Sequence, residues 1–74
     1  MTTADVVREQ ALRLARTVPD EDEAIRELES ASGGRRVAAV IARRQVSDGL
    51  ERDPDRTAVR AVELLDRLLE RLPA

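Results

Sequence analysis

Residues 31–45 read ASGGRRVAAVIARRQ, a stretch in which two adjacent glycines come shortly before a short aliphatic segment. Gly33 and Gly34 predict the end of one helix and a turn, because glycine readily adopts the left-handed conformation that terminates many helices. From Val37 to Ala42 all six residues are apolar, so on a helix they point in every direction. A helix that is apolar all round is surrounded by protein, which predicts a central position for this segment.

Proline and glycine residues divide the rest of the chain into further helical segments. Apolar residues recur within them at intervals of three and four, the spacing of one helix face. Pro19 ends the first segment, and Asp53 followed by Pro54 predicts an N-cap and a first helical residue for the last. The expected fold class is all-α: a single domain, residues 1–74, folded as a compact bundle of four short helices with helix three central. The helices are predicted at approximately residues 3–18, 20–32, 35–52 and 54–72.

Two helix starts carry side chains suited to capping. Thr2, followed three residues later by Asp5, predicts a capping box in which each side chain bonds the backbone of the other residue. Asp20 and Glu23 predict a second cap of this kind. The four acids at residues 20–23 also suit the positive end of a helix dipole. They lack the alternating ligands and the glycine of a calcium loop, so they indicate a helix start and not a cation site.

The composition excludes several classes of protein. The 74 residues include no cysteine and no histidine, so disulfide bonds and zinc sites built on Cys and His are excluded. There is also no Phe, Tyr or Trp. Since each aromatic side chain buries roughly 150–250 Å², the core of a single chain is thin, and self-association is expected.

The N-terminus and the hydropathy pattern favour a cytoplasmic location without membrane association. The first ten residues, MTTADVVREQ, lack the basic and apolar regions of a signal peptide. No apolar run approaches the roughly 20 residues that a membrane helix needs.

Catalysis has little support in the sequence. The absence of His and Cys removes the usual proton shuttle and thiolate nucleophile, and Ser30, Ser32 and Ser47 have no evident general base. Residues 32–36, SGGRR, lack the spacing and the lysine of a phosphate-binding loop. We therefore expect no enzyme, and predict no catalytic, cofactor-binding or metal-binding residues and no cofactor.

The leading hypothesis is a small non-enzymatic protein–protein interaction module. The apolar face of helix four is wider than a single coiled-coil seam requires. We expect the protein to form a homo-oligomer or to dock a partner protein through this face. The predicted contact residues are Leu64, Leu65, Leu68, Leu69 and Leu72.

The alternative is a small DNA-associated protein of helix-turn-helix type. Residues 35–44 carry four arginines and no acid, and arginines on a helix that follows a short turn can contact phosphates or guanine edges. The candidate nucleic-acid residues are Arg35, Arg36, Arg43 and Arg44. Against this stand the net charge of −2, the lack of aromatic residues for stacking, and the burial expected for residues 37–42.

The acidic segment of helix two could instead form ion pairs with these arginines within the same chain. Residues 20–29 hold six acids and one arginine, and antiparallel helices joined by Gly33 and Gly34 would bring opposite charges side by side. This pairing is the favoured interpretation, because runs of charged residues on helices usually form exposed faces with salt bridges. A third interpretation gives the acids at residues 20–23 a role in binding a basic protein.

One segment resembles a known family. Residues 50–72, LERDPDRTAVRAVELLDRLLERL, resemble the helix that follows the DNA-binding element in some phage small terminase subunits, where an acidic turn precedes an Ala/Leu-rich helix. The resemblance implies a DNA-associated context with oligomerisation, and it assigns no functional residues to this chain.

Overall fold

Four α-helices make up the protein, whose computed structural model describes residues 1–73. They are α1 (Thr3–Thr17), α2 (Glu21–Ser32), α3 (Arg36–Arg52) and α4 (Arg56–Arg71). No strand occurs among the described residues. The radius of gyration is 10.8 Å, as expected for a closely packed bundle, and the predicted all-α, four-helix class is confirmed.

The ends of α1 follow the local chemistry predicted for them. The backbone N–H of Asp5 donates to Thr2 Oγ1 at 3.2 Å, and the backbone N–H of Thr2 donates to Asp5 Oδ2 at 3.1 Å. This is the reciprocal capping box. At the other end, Val18 is extended because the following Pro19 disfavours helical geometry at that position.

The other helix starts confirm one cap and correct another. Asp20 Oδ1 accepts from the N–H of Glu23 at 3.3 Å, as predicted, but the expected return bond from the Asp20 N–H to the Glu23 side chain does not form within residues 1–73, so this end has a simple N-cap and not a capping box. For α4 the predicted cap Asp53 is wrong: Asp53 ends α3, and Asp55 is the N-cap, accepting from the N–H of Thr57 at 3.0 Å. The last helix therefore begins two residues later than expected, because it is the Asp55 carboxylate that reaches an unpaired amide of the first turn.

The middle of the bundle is formed by α1 and α4. Each of these two helices packs against all three others, whereas α2 and α3 lie on opposite flanks and scarcely contact each other. The fully buried residues come mainly from α1, α2 and α4. The large side chains among them are Val7, Leu14, Leu28, Leu64, Leu65 and Leu68.

The prediction that helix three is central is therefore wrong. Only small or narrow residues of α3 face the core, namely Ala38, Ala39, Ala42 and Val46. Its larger aliphatic side chains point to solvent: Val37 is 70% exposed, Val40 45% and Ile41 42%. The alanines allow the α3 backbone to lie close to α1 and α4, so the β-branched residues of the same apolar run remain outside.

Candidate interaction surface on α3

The outer face of α3 comprises Val37, Val40, Ile41, Arg44 and Asp48. These positions are spaced i, i+3, i+4, i+7 and i+11, so they share one side of the helix, and all five are exposed. Three of them, at the N-terminal end, form a continuous apolar stripe. Exposed apolar surface of this kind, bordered by charged residues, is typical of interaction sites.

The apolar stripe continues into an open groove between α3 and the start of α1. Thr3 and Ala4 line one side of the groove, and Val37 and Ile41 line the other. Gln45, at its edge, accepts a hydrogen bond from Arg8 Nη1 of α1 at 3.0 Å. This hydrogen bond links α1 and α3 beside the groove.

Two of the four predicted nucleic-acid arginines serve the fold itself. Arg36 Nη1 donates to the carbonyl oxygen of Leu69 at 2.7 Å, near the C-terminal end of α4. Arg43 Nε forms an ion pair with the carboxylate of Asp66, also on α4. Both side chains fasten α3 to α4, which leaves them less free for a phosphate.

The other two arginines are free. Arg35, at the N-cap position of α3, and Arg44, on its outer face, are exposed. Neither side chain makes a hydrogen bond or ion pair within residues 1–73. The structure thus divides the predicted cluster into a pair that holds the bundle together and a pair that faces solvent.

The predicted charge pairing between helices two and three is wrong. The acids of α2 find their partners elsewhere: Glu21 lies 3.3 Å from Arg67 Nε of α4, and Glu27 lies 3.9 Å from Arg13 Nη2 of α1. The physical reason is the packing order. Because α2 and α3 lie on opposite flanks of the α1–α4 pair, their charged faces do not meet.

The leucines predicted to form a docking surface on helix four are core residues. Leu65 and Leu68 are completely buried, Leu64 is 1% exposed and Leu72 6%, while Leu69 is half-buried and packs against the same core. The apolar face of α4 is wide because α4 contacts three helices of its own chain. The width that suggested a partner is thus used inside the bundle.

The polar groups offer little chemistry beyond binding. The Ser32 hydroxyl is buried but fully engaged, donating to the carbonyl of Glu29 at 2.8 Å and accepting from the N–H of Gly34 at 3.2 Å. Within residues 1–73 no buried side-chain polar atom lacks a partner, and no cluster of three or more acids is placed to hold a metal ion. Among the described helices, none combines the length and hydropathy needed to cross a bilayer.

The chain matches no protein-family model, and comparisons with curated proteins and with solved structures also find no match. The resemblance of residues 50–72 to small terminase subunits therefore remains an expectation, and any functional inference depends on the geometry of this chain.

Proposed function

We propose that the protein is a non-enzymatic interaction module that binds a partner protein through the outer face of α3. The observation that carries this proposal is the exposure of Val37, Val40 and Ile41 on one side of a helix. Apolar area removed from water contributes about 25 cal/mol per Å², so covering this stripe is favourable. The same residues would otherwise be a poor choice for a solvent-facing helix surface.

The position of the stripe supports a binding role. A chain without aromatic residues has few large side chains with which to build its core, yet three β-branched residues are placed outside it while alanines occupy the inner side of α3. Arg44 and Asp48 follow at the C-terminal end of the stripe. An apolar centre with a charged rim is the usual arrangement of a protein interface.

The test is affinity capture with tagged protein and identification of bound partners by mass spectrometry. The variant Val40→Glu places a charge in the stripe, and Val59→Glu is the matched control, since Val59 lies on α4 and is also 45% exposed. We expect wild type and Val59→Glu to retain the same partner and Val40→Glu to lose it. Retention by all three proteins would rule out the outer face of α3 as the docking site.

DNA binding is the second candidate, favoured by a specific observation. One of the three objections to DNA binding, the burial expected for residues 37–42, does not hold for Val37, Val40 and Ile41, whose exposed face begins shortly after the turn at Gly33 and Gly34. Arg44 lies free on this face, and the free Arg35 lines the adjoining groove. Apolar side chains can contact thymine methyl groups, and arginines can contact guanine or phosphate.

A fluorescent duplex titrated at low and high salt tests the DNA candidate. Arg44→Glu is compared with Arg26→Glu, which makes the same change in net charge on the exposed side of α2. If α3 reads DNA, only Arg44→Glu abolishes binding, and wild-type affinity falls steeply with added salt. Equal loss in both variants indicates unspecific charge attraction, and no binding by wild type eliminates this candidate.

A further inference from the structure

We infer that the partner of the outer face of α3 is a second copy of the same chain, with the two α3 helices antiparallel and related by a two-fold axis near Ile41. This inference rests on the proposed function and names its partner. Symmetric two-fold pairs are by far the commonest protein oligomers, and in them one surface patch meets itself. The outer face of α3 therefore has to be complementary to itself.

The charge distribution along α3 supplies this self-complementarity. Arg36 and Arg43 are held by α4, so the start of α3 keeps one free arginine, Arg35, and no acid, whereas residues 44–53 carry three acids and two arginines. An antiparallel pair places the positive half of each helix on the negative half of the other. A parallel pair would place like charges together, which is unfavourable. The opposite charges of the two halves of α3 thus favour the antiparallel arrangement.

The register brings together two charged groups that lack partners within one chain. Asp48 lies seven residues from Ile41 and Arg35 lies six residues in the other direction, about 10 Å and about 9 Å at 1.5 Å per residue. With the axis near Ile41, Asp48 of one copy is level with Arg35 of the other. Neither side chain forms an ion pair within the described residues of the single chain.

The N-terminus of α3 provides a second reason to expect the carboxylate of Asp48 from the other copy beside Arg35. Its N-cap is Arg35, which makes no side-chain cap hydrogen bond, and its first turn contains no acid. The free N–H groups there carry a partial positive charge that favours a carboxylate. In the antiparallel pair Asp48 of the second copy supplies that carboxylate.

The apolar residues occupy the centre of this arrangement. Val40 and Ile41 of the two copies meet around the axis, and Val37 of each copy lies level with Arg44 of the other. The aliphatic part of an arginine can cover an apolar neighbour while its guanidinium remains in water. The six aliphatic side chains of the stripe are covered together in this way.

The size of the interface predicts a weak dimer. A standard stable interface buries about 800 Å² per partner, which would be about a sixth of the 4773 Å² surface of this chain. The apolar centre of the proposed interface consists of only three exposed aliphatic residues per copy, all on one helix. We therefore expect a dimer that dissociates on dilution.

Sedimentation velocity of the full chain over a wide concentration series tests the inference. We expect a monomer–dimer equilibrium for wild type and for the control Val59→Glu. In Val40→Glu, where two carboxylates would be brought into the apolar centre, dimerisation weakens by more than about tenfold. A dimer that is unaffected by Val40→Glu forms through another surface and overturns the inference.

A charge exchange tests the antiparallel register. Arg35→Glu and Asp48→Arg each weaken the dimer by roughly tenfold, because each contact occurs twice in a symmetric pair. The double variant restores the interaction with the charges exchanged and regains most of the wild-type affinity. Additive losses in the double variant overturn the register.

The failure of this inference can be separated from failure of the proposed function. If wild type is monomeric at every concentration, but affinity capture finds a different protein whose binding is lost in Val40→Glu, only the self-pairing is wrong. If the chain is monomeric and Val40→Glu also leaves the captured proteins unchanged, both proposals are wrong.

Discussion

Arg60 of α4 donates a hydrogen bond from Nη1 to the carbonyl oxygen of Ala15, 2.9 Å away at the C-terminal end of α1. The same guanidinium also donates to the carbonyl oxygens of Leu14 at 3.2 Å and Pro19 at 3.0 Å. The last carbonyls of a helix have no partners within it and carry partial negative charge. Arg60 supplies a donor to the Ala15 carbonyl from a neighbouring helix, as Arg36 does to the Leu69 carbonyl near the end of α4.

Replacing Arg60 by alanine is expected to lower the free energy of unfolding by about 1–3 kcal/mol, because partly buried carbonyls lose a charged donor. Urea denaturation monitored by circular dichroism measures the change. Arg56→Ala is the control, since Arg56 is exposed at the start of α4 and its removal should alter the stability by less than about 0.5 kcal/mol. Equal effects of the two substitutions would contradict a structural role for Arg60.

Leu65→Ala is expected to lower the free energy of unfolding by about 2–5 kcal/mol, the cost of removing a fully buried leucine. Leu69→Ala should cost less because Leu69 is only half-buried. Thermal unfolding of the two variants and wild type measures the difference. A Leu65→Ala protein of unchanged stability that no longer binds a partner would return the docking role to α4.

Gly33→Ala and Gly49→Ala are expected to change stability in opposite directions. Gly33 has φ 60° and ψ 27° at the end of α2, where a Cβ costs roughly 1–2 kcal/mol. Gly49 lies within α3, without positive φ and with nothing within 4 Å of an added Cβ. Alanine there should stabilise the helix by about 0.5–1 kcal/mol. Urea midpoints of both variants decide the signs, and a destabilising Gly49→Ala would contradict the conformation described for α3.

The stability contributed by Asp5 should depend on pH. The hydrogen bonds from the Thr2 backbone and from the Thr2 side chain, together with the charge of Arg8, hold the pKa of Asp5 below its ordinary value of 3.8. A carboxylate with a lowered pKa stabilises the folded state fully above the unfolded value, and this stabilisation disappears as the pH falls through the folded pKa.

We therefore expect Asp5→Asn to be less stable than wild type at neutral pH and to approach it as the pH falls below 3.8. The free energy of unfolding of both proteins is measured with urea across this pH range. The other acidic residues titrate in both proteins, so their contributions cancel when the two free energies are subtracted. A gap between the two proteins that is constant with pH would mean that the charge of Asp5 has no part in the cap.

The candidate site was only partly predictable from the sequence. The sequence singled out the four arginines of residues 35–44, but not which of them face solvent. It indicated that residues 37–42 are buried in the core, whereas the three larger residues of this run, Val37, Val40 and Ile41, form the exposed stripe. Nothing in the sequence pattern distinguished Arg60, because its acceptors are backbone carbonyls of a helix more than 40 residues away.

Local sequence patterns were enough to predict the number of helices and most of their ends. Caps, turns and helical periodicity depend on residues within a few positions of each other, so Thr2 with Asp5, Asp20 and Gly33 could be interpreted without knowledge of the fold. Which face of each helix is buried depends instead on how the helices pack against one another. Six consecutive apolar residues contain no directional information, and it is the close approach of α3 to α1 and α4 that buries its alanines and leaves Val37, Val40 and Ile41 outside.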